Sequence, residues 1–254
     1  MAIIALKAWY LEQYEPVHQL EKRPYDLRLS RNSLLKSGLR ADFLDDSEAV
    51  REAPWFQRYL AGEAVEFYIE GSGSYAIANI DLLSHEVYFI KQDSLTQLQP
   101  SLFFCYQTEY PEASAAIREA IQAEITRLNK KSRIPLTLEE SHRSGAEPIR
   151  RNSPLMRKLR QALLVIVDGT PVAQLPGTPP SLLPSPQVCV ELGYALQCKR
   201  PEQILLVQQE RADLPGQFPF EVPAAQRLLF KQEKDLKAQL ATLITNQLQR
   251  FSLF

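Results

Sequence analysis

Three short segments carry polar side chains of the kinds that bind or transform small molecules. They are Gln107-Thr108-Glu109, Asp168-Gly169-Thr170, and Glu191 within the stretch PQVCVELGYAL, residues 186–196. Glu191 is the least ordinary of these. Ser185 and Pro186 suit the N-cap and first position of a helix, which places Glu191 about six positions in. That is too deep for a capping box and past most of the helix-dipole benefit. Its neighbours at three and four positions, Gln187, Val188, Tyr194 and Ala195, include no base, so no ion pair on its own helix supports it. On a helical wheel Glu191 borders the stripe of Val188, Leu192 and Ala195. Burying an unpaired carboxylate there is costly. The residues alone therefore leave three placements open: the watery rim of the fold, an ion pair with a group distant in sequence, or a functional carboxylate. Gly193 costs about 1 kcal/mol against alanine in a helix interior, and its missing side chain leaves room for a ligand or a packed backbone. Asp168-Gly169 also reads as a plain turn, and Gln107–Glu109 as an ordinary loop.

No metal site is expected. The cysteines Cys105, Cys189 and Cys198 are an odd count without metal-type spacing, and His18, His85 and His142 are scattered. Free thiols of this kind fit a reducing compartment, so a cytoplasmic location is expected.

An open parallel sheet would bring the three polar segments together, because such sheets collect ligands beyond the carboxyl ends of their strands. Residues 101–254 have the alternating pattern that builds one. LFFCY (102–106) reads as a buried strand, and residues 111–131 as a helix with Ile117, Ile121, Ile125 and Leu128 on one stripe. IPLTLEE (134–140) is a further candidate strand, and a helix over about 148–161 leads into LLVIVD (163–168), the clearest buried strand. A proline-rich loop comes next, expected to be mobile or extended, then the helix from Pro186, the strand ILLV (204–207) and a last helix over about 231–249. The fold class expected is α/β, a flavodoxin-like or Rossmann-like parallel sheet with helices on both faces.

Residues 1–95 differ. Ile3 to Tyr10 reads as a strand, 31–44 and 47–60 as helices, and AVEFYIEG, SYAIANID and HEVYFIK as a three-stranded meander with GSGS (71–74) at its first turn. This predicts a smaller α+β domain before the α/β domain, with a boundary near 92–100. Trp9, Trp55 and the aromatics of the meander are expected to build its core.

The 254 residues are 45% hydrophobic and 23% charged, ordinary for a globular protein of one or two domains. No run is long and apolar enough for a membrane span, and the start of the chain makes a poor signal peptide. A formal net charge of −1 argues against a mainly electrostatic nucleic-acid binder. The basic residues Lys130, Lys131, Arg133, Arg143, Arg150, Arg151, Arg157, Lys158 and Arg160 read as a solvated face, with a local phosphate-binding patch as the alternative.

The string SPQVCVELGYAL resembles the NPNV-x-x-ELGYA segment of bacterial TIR-like predicted nucleotide-binding proteins, a family related in fold to nucleoside 2-deoxyribosyltransferases. FFCYQTE resembles that family's first strand, LLVIVDGT its IADLT strand end, and ILLVQQERADLPGQFPFEV its ILV…LPFDV segment. The arginine and phenylalanine of AAQRLLF resemble the family's residues just after that segment. Four segments agree in order and spacing over about 101–254, and nothing in 1–95 is covered. The resemblance implies a TIR-like parallel sheet and makes Glu191 the catalytic carboxylate of an enzyme that cleaves the N-glycosidic bond of NAD or a nucleoside. It makes Asp168 and Thr170 contacts to ribose or phosphate, with Gln107 beside them, and Thr108, Gly193 and Tyr194 complete the implied binding set. NAD would then be a substrate, with no cofactor or metal. Stress or antiviral signalling is the implied setting, with a homo-oligomer or a protein partner of the N-terminal domain as further expectations. The sequence departs from the family where Gln187 replaces asparagine and where the loop 169–185 is longer and proline-rich. A non-catalytic nucleotide sensor or interaction module is the alternative.

Overall fold

A computed structural model describes residues 5–30, 40–92, 98–141, 153–218, 223 and 226–254. The chain divides into two compact units, Met1–Leu98 and Gln99–Phe254.

The first unit contains strands β1 (Ala5–Tyr10), β2 (Leu27–Ser30), β3 (Arg40–Asp42), β4 (Glu66–Ile69), β5 (Gly73–Asp81) and β6 (Glu86–Lys91), with short helices α1 (Val17–Leu20), α2 (Ser47–Glu52) and α3 (Pro54–Leu60). All strand pairs are antiparallel, in the order β2-β1-β4-β5-β6-β3. A bridge between Leu29 and Phe43 joins the two outer strands, so the sheet is nearly closed on itself. The meander β4-β5-β6 is present, and Gly71 and Gly73 adopt φ of 67° and 114° at its first turn, where a side chain would be strained. The interior is aromatic: Trp55 stands edge-on to Phe67 with centroids 5.0 Å apart, and Phe43 and Phe89 are buried in the same cluster.

Two expectations for this unit are corrected. The helix expected over 31–44 is a strand at Arg40–Asp42, while 31–39 lies outside the described residues. Arg40 to Phe43 alternate between partly exposed and buried, the period of a strand, and Arg40 reaches Glu86 on the paired strand at 2.5 Å. The single helix expected over 47–60 is two helices. Asp46 caps α2 through Glu48 N, and Pro54 forces Ala53 into an extended conformation, ψ 136°, before starting α3.

The second unit contains β7 (Gln99–Cys105), α4 (Pro111–Leu128), β8 (Thr137–Glu140), α5 (Pro154–Gln161), β9 (Ala162–Asp168), β10 (Ala173–Leu175), β11 (Ser181–Leu183), α6 (Pro186–Cys198), β12 (Ile204–Gln209), β13 (Arg227–Phe230) and α7 (Glu233–Gln249). Five strands form a parallel sheet in the order β13-β12-β9-β7-β8. Helices α4 and α7 pack together, as do α5 and α6, and each pair covers the sheet. Every residue of β9 is buried, which explains its unbroken apolar run. Phe103 and Cys105 of β7 and Val165 and Val167 of β9 share a core with Val188, Leu192 and Ala195 of α6. The proline-rich loop is not merely extended: β10 and β11 pair within it as an antiparallel hairpin.

Both tryptophans of the chain, Trp9 and Trp55, lie in the first unit, so tryptophan fluorescence reports on that unit. Phe67→Ala removes the ring that Trp55 packs on and is expected to cost about 3–5 kcal/mol. Urea titration read by fluorescence should show a lower midpoint with an unchanged slope.

Candidate functional site at the sheet switch point

The order of the second sheet reverses between β7 and β9, and this is where the connections leave in opposite directions. The segments after Cys105 and after Asp168 leave the carboxyl ends of these two neighbours. They are joined by a chain of hydrogen bonds. Gln107 N donates to Ser114 Oγ at 3.0 Å, and Ser114 Oγ donates to Asp168 Oδ2 at 2.5 Å. Asp168 Oδ1 accepts from Thr170 N at 2.9 Å, and Gln107 Nε2 donates to Thr170 O at 3.0 Å. Thr170 Oγ1 in turn accepts from Gln209 N at 3.0 Å, tying in β12. Gln107, Ser114, Asp168 and Thr170 are all buried, and Gln107 Oε1 has no hydrogen-bond partner among the described residues. Burial pushes the Asp168 carboxyl up from its ordinary range; the hydrogen bonds from Ser114, Thr170 and Gln107 oppose that rise.

Glu191 is 0% exposed. The watery rim, one of the three placements left open by the sequence, is thereby excluded. Val188, Glu191, Leu192 and Ala195 are the buried residues of α6, at the i, i+3, i+4, i+7 spacing of one helix face. Glu191 sits on that inward face about 9 Å along the axis from the N-cap. Helix α6 is fixed at its start by Ser185, but not in the expected way. The Ser185 hydroxyl does not cap the helix; it donates to Glu109 Oε1 at 2.8 Å, binding the α6 entrance to the loop after β7.

Of the residues singled out in the sequence, Gln107, Asp168 and Thr170 form one cluster. Thr108 is exposed, its N–H donating to Glu109 Oε2 at 3.0 Å. Tyr194 is partly buried against the α6 core. Gly193 is exposed, and a Cβ built on it meets no atom within 4 Å. Two helix positions from Glu191, it points roughly 200° away, so no packed backbone demands its missing side chain. The glycine that packing does demand is Gly169: its Cβ would lie 2.5 Å from Leu206 Cδ1, in a fully buried part of the neighbouring strand.

Sequence reasoning missed Ser114 and Gln208, and it read Ser185 as a helix cap where the structure makes it a partner of Glu109. Gln208 is buried and donates from Nε2 to Gly169 O at 2.9 Å. Serines and glutamines at strand and helix ends are common, and nothing in the spacing marks Ser114 or Gln208. Among the described residues no group of three or more His, Cys, Asp or Glu is placed to hold a metal ion, and no helix is long and apolar enough to cross a membrane. Within the basic run, Lys158 pairs with Glu139 at 2.8 Å and Arg133 donates to Ser252 O, while Arg143, Arg150 and Arg151 lie outside the described residues. No protein-family model, curated protein or solved structure matches the chain.

Two outcomes are expected here. Gly169→Ala should lower stability by about 1–3 kcal/mol through overpacking against Leu206, measured by chemical denaturation with a probe of the second unit such as far-ultraviolet circular dichroism. Asp168 has a raised folded pKa, so its contribution to stability is greatest below the unfolded carboxylate range and is lost as pH rises through the folded value. Asp168→Asn removes that titration. The stability of the wild type relative to this variant should therefore fall as pH rises from about 4 towards neutrality, and a constant difference across that range would contradict the assignment.

Proposed function

We propose that the second unit is a flavodoxin-like, TIR-like domain that binds a nucleotide at the carboxyl end of β7 and β9, and that Glu191 serves cleavage of the N-glycosidic bond of NAD or a related nucleotide. The observation carrying this reading is the complete burial of Glu191 on the inward face of α6, the helix whose entrance is bound to the β7 loop through Ser185 and Glu109. The strand order, 2-1-3-4-5 when numbered along the unit, supports the ligand position.

The chemistry suits one acid. As the bond between ribose C1′ and the nicotinamide nitrogen breaks, its electron pair passes to the cationic ring, which leaves neutral, so no second acid is required. Positive charge develops on the ribose, and a carboxylate in a water-poor setting stabilises it. Water then supplies hydroxide to C1′ and releases a proton.

Purified protein incubated with NAD should release nicotinamide, and Glu191→Gln should lower the rate at least about a hundredfold. A thermal melt must show that this variant remains folded. Undiminished release in the variant sinks the catalytic role. A second reading, a nucleotide-binding module without turnover, is favoured by the way Gln107, Asp168 and Thr170 spend their hydrogen bonds on one another. It predicts a ligand-dependent rise in melting temperature, worth about 2.7 kcal/mol at a hundredfold excess over Kd, with no nicotinamide formed.

A further inference from the structure

A pocket of about 270 Å³ lies at the carboxyl end of β12 and along β13, and Glu191 is not part of its lining. Its volume falls just under the roughly 300–1,000 Å³ of drug-sized ligand sites, so it suits a small molecule. The pocket has firm walls. Leu182 N on β11 donates to Gln217 O at 2.8 Å, and Gln217 N donates to Pro180 O at 2.9 Å. A Cβ on Gly216 would lie 2.6 Å from Pro180 O, so glycine is required for this close approach of hairpin and loop. Leu182, Leu214, Pro215 and Leu229 supply the apolar part of a lining that is otherwise polar.

One cation in the lining is both held and available. Arg227 donates from Nε to Gln208 Oε1 at 2.7 Å, and Gln208 is itself buried and anchored to Gly169 O. The guanidinium lies over the Phe218 ring, 5.7 Å from its centroid. Among the described residues neither Nη of Arg227 has a hydrogen-bond or ion-pair partner. The other charges of the lining are spent. Arg211 gives Nε to Asp213 at 3.1 Å and Nη1 to Pro171 O at 3.1 Å, and Glu210 pairs with Lys231 at 3.2 Å.

We propose that this pocket binds a small organic monocarboxylate, its carboxylate on the Nη1–Nη2 edge of Arg227 and its apolar body against Leu182, Leu214 and Leu229. The two Nη groups present parallel N–H donors that match the two oxygens of a carboxylate. Fixing Nε on Gln208 orders that edge in advance, which lowers the entropic cost of binding. A phosphate dianion would seek more donors than one guanidinium edge offers. The proposal rests on the pocket alone and is independent of the nucleotide reading.

The test is a titration of the full chain with benzoate, monitored by ¹H–¹⁵N nuclear magnetic resonance. Saturable shifts are expected at residues 208–211 and 229, with a Kd on the order of 1 mM. Arg227→Gln should weaken binding at least tenfold. Leu229 is 43% exposed, so Leu229→Glu keeps the fold and brings a repelling charge to the wall; it should weaken binding in the same way. Neutral benzamide should bind far less well than benzoate. Absence of saturable benzoate binding, equal binding of benzamide, tighter binding of inorganic phosphate, or benzoate binding unchanged in Leu229→Glu would each overturn the proposal.

Discussion

A carboxylate closed off from water at the end of the central strand sets the terms for the second unit. Asp168 ends β9, whose two faces are both covered by helices, so its oxygens can be satisfied only by groups the chain supplies. Ser114 and Thr170 supply them, and each brings something else. Ser114 belongs to the first turn of α4 and also receives the Gln107 amide, so it fixes how the chain leaves β7. Thr170 continues to β12 through the Gln209 amide. Three strand ends and one helix entrance are thereby referred to a single side chain. The proline-rich arm begins only after this point, so its hairpin springs from a fixed origin rather than from a free loop.

Much of this was legible in the sequence, for identifiable reasons. β9 and the helices α4, α6 and α7 are long or strongly patterned, and their periods survive into the fold with small changes at the ends. The convergence of Gln107, Asp168 and Thr170 came from strand–helix alternation alone. What failed was local. Residues 40–43 alternate over too few positions to outweigh the helical pattern around them. The hairpin β10-β11 is built from two three-residue strands within a proline-rich stretch, and its pairing is reinforced by Gln217, more than thirty residues further along. Ser185 has the right type and place for a cap, yet a carboxylate from another loop claims its hydroxyl. No inspection of neighbouring residues reveals such a competitor.

Glu191 shows the same division more sharply. Its helical position was readable, and so was the stripe it borders. Its burial was not, because the stripe is four residues wide only if the acid is counted as a member. An acid in such a position is normally a sign that the surrounding fold compensates for it or uses it. The neighbouring glycine, which sequence alone ties to the same purpose, turns out to face the other way. Gly169, read as an ordinary turn residue, is the one whose lack of a side chain the packing requires.

The lengths of the strands in the parallel sheet carry a final consequence. The three inner strands have six or seven residues, whereas the outer strands β8 and β13 have four each. The outer strand β8 ends in Glu139 and Glu140, held by Lys158 and Arg118. An incoming strand would find few backbone groups to pair with on either margin, and on one of them a row of fixed charges. The sheet that shelters the most apolar strand of the chain is thus poorly suited to recruit a second chain edge to edge. Such margins guard against edge-to-edge aggregation.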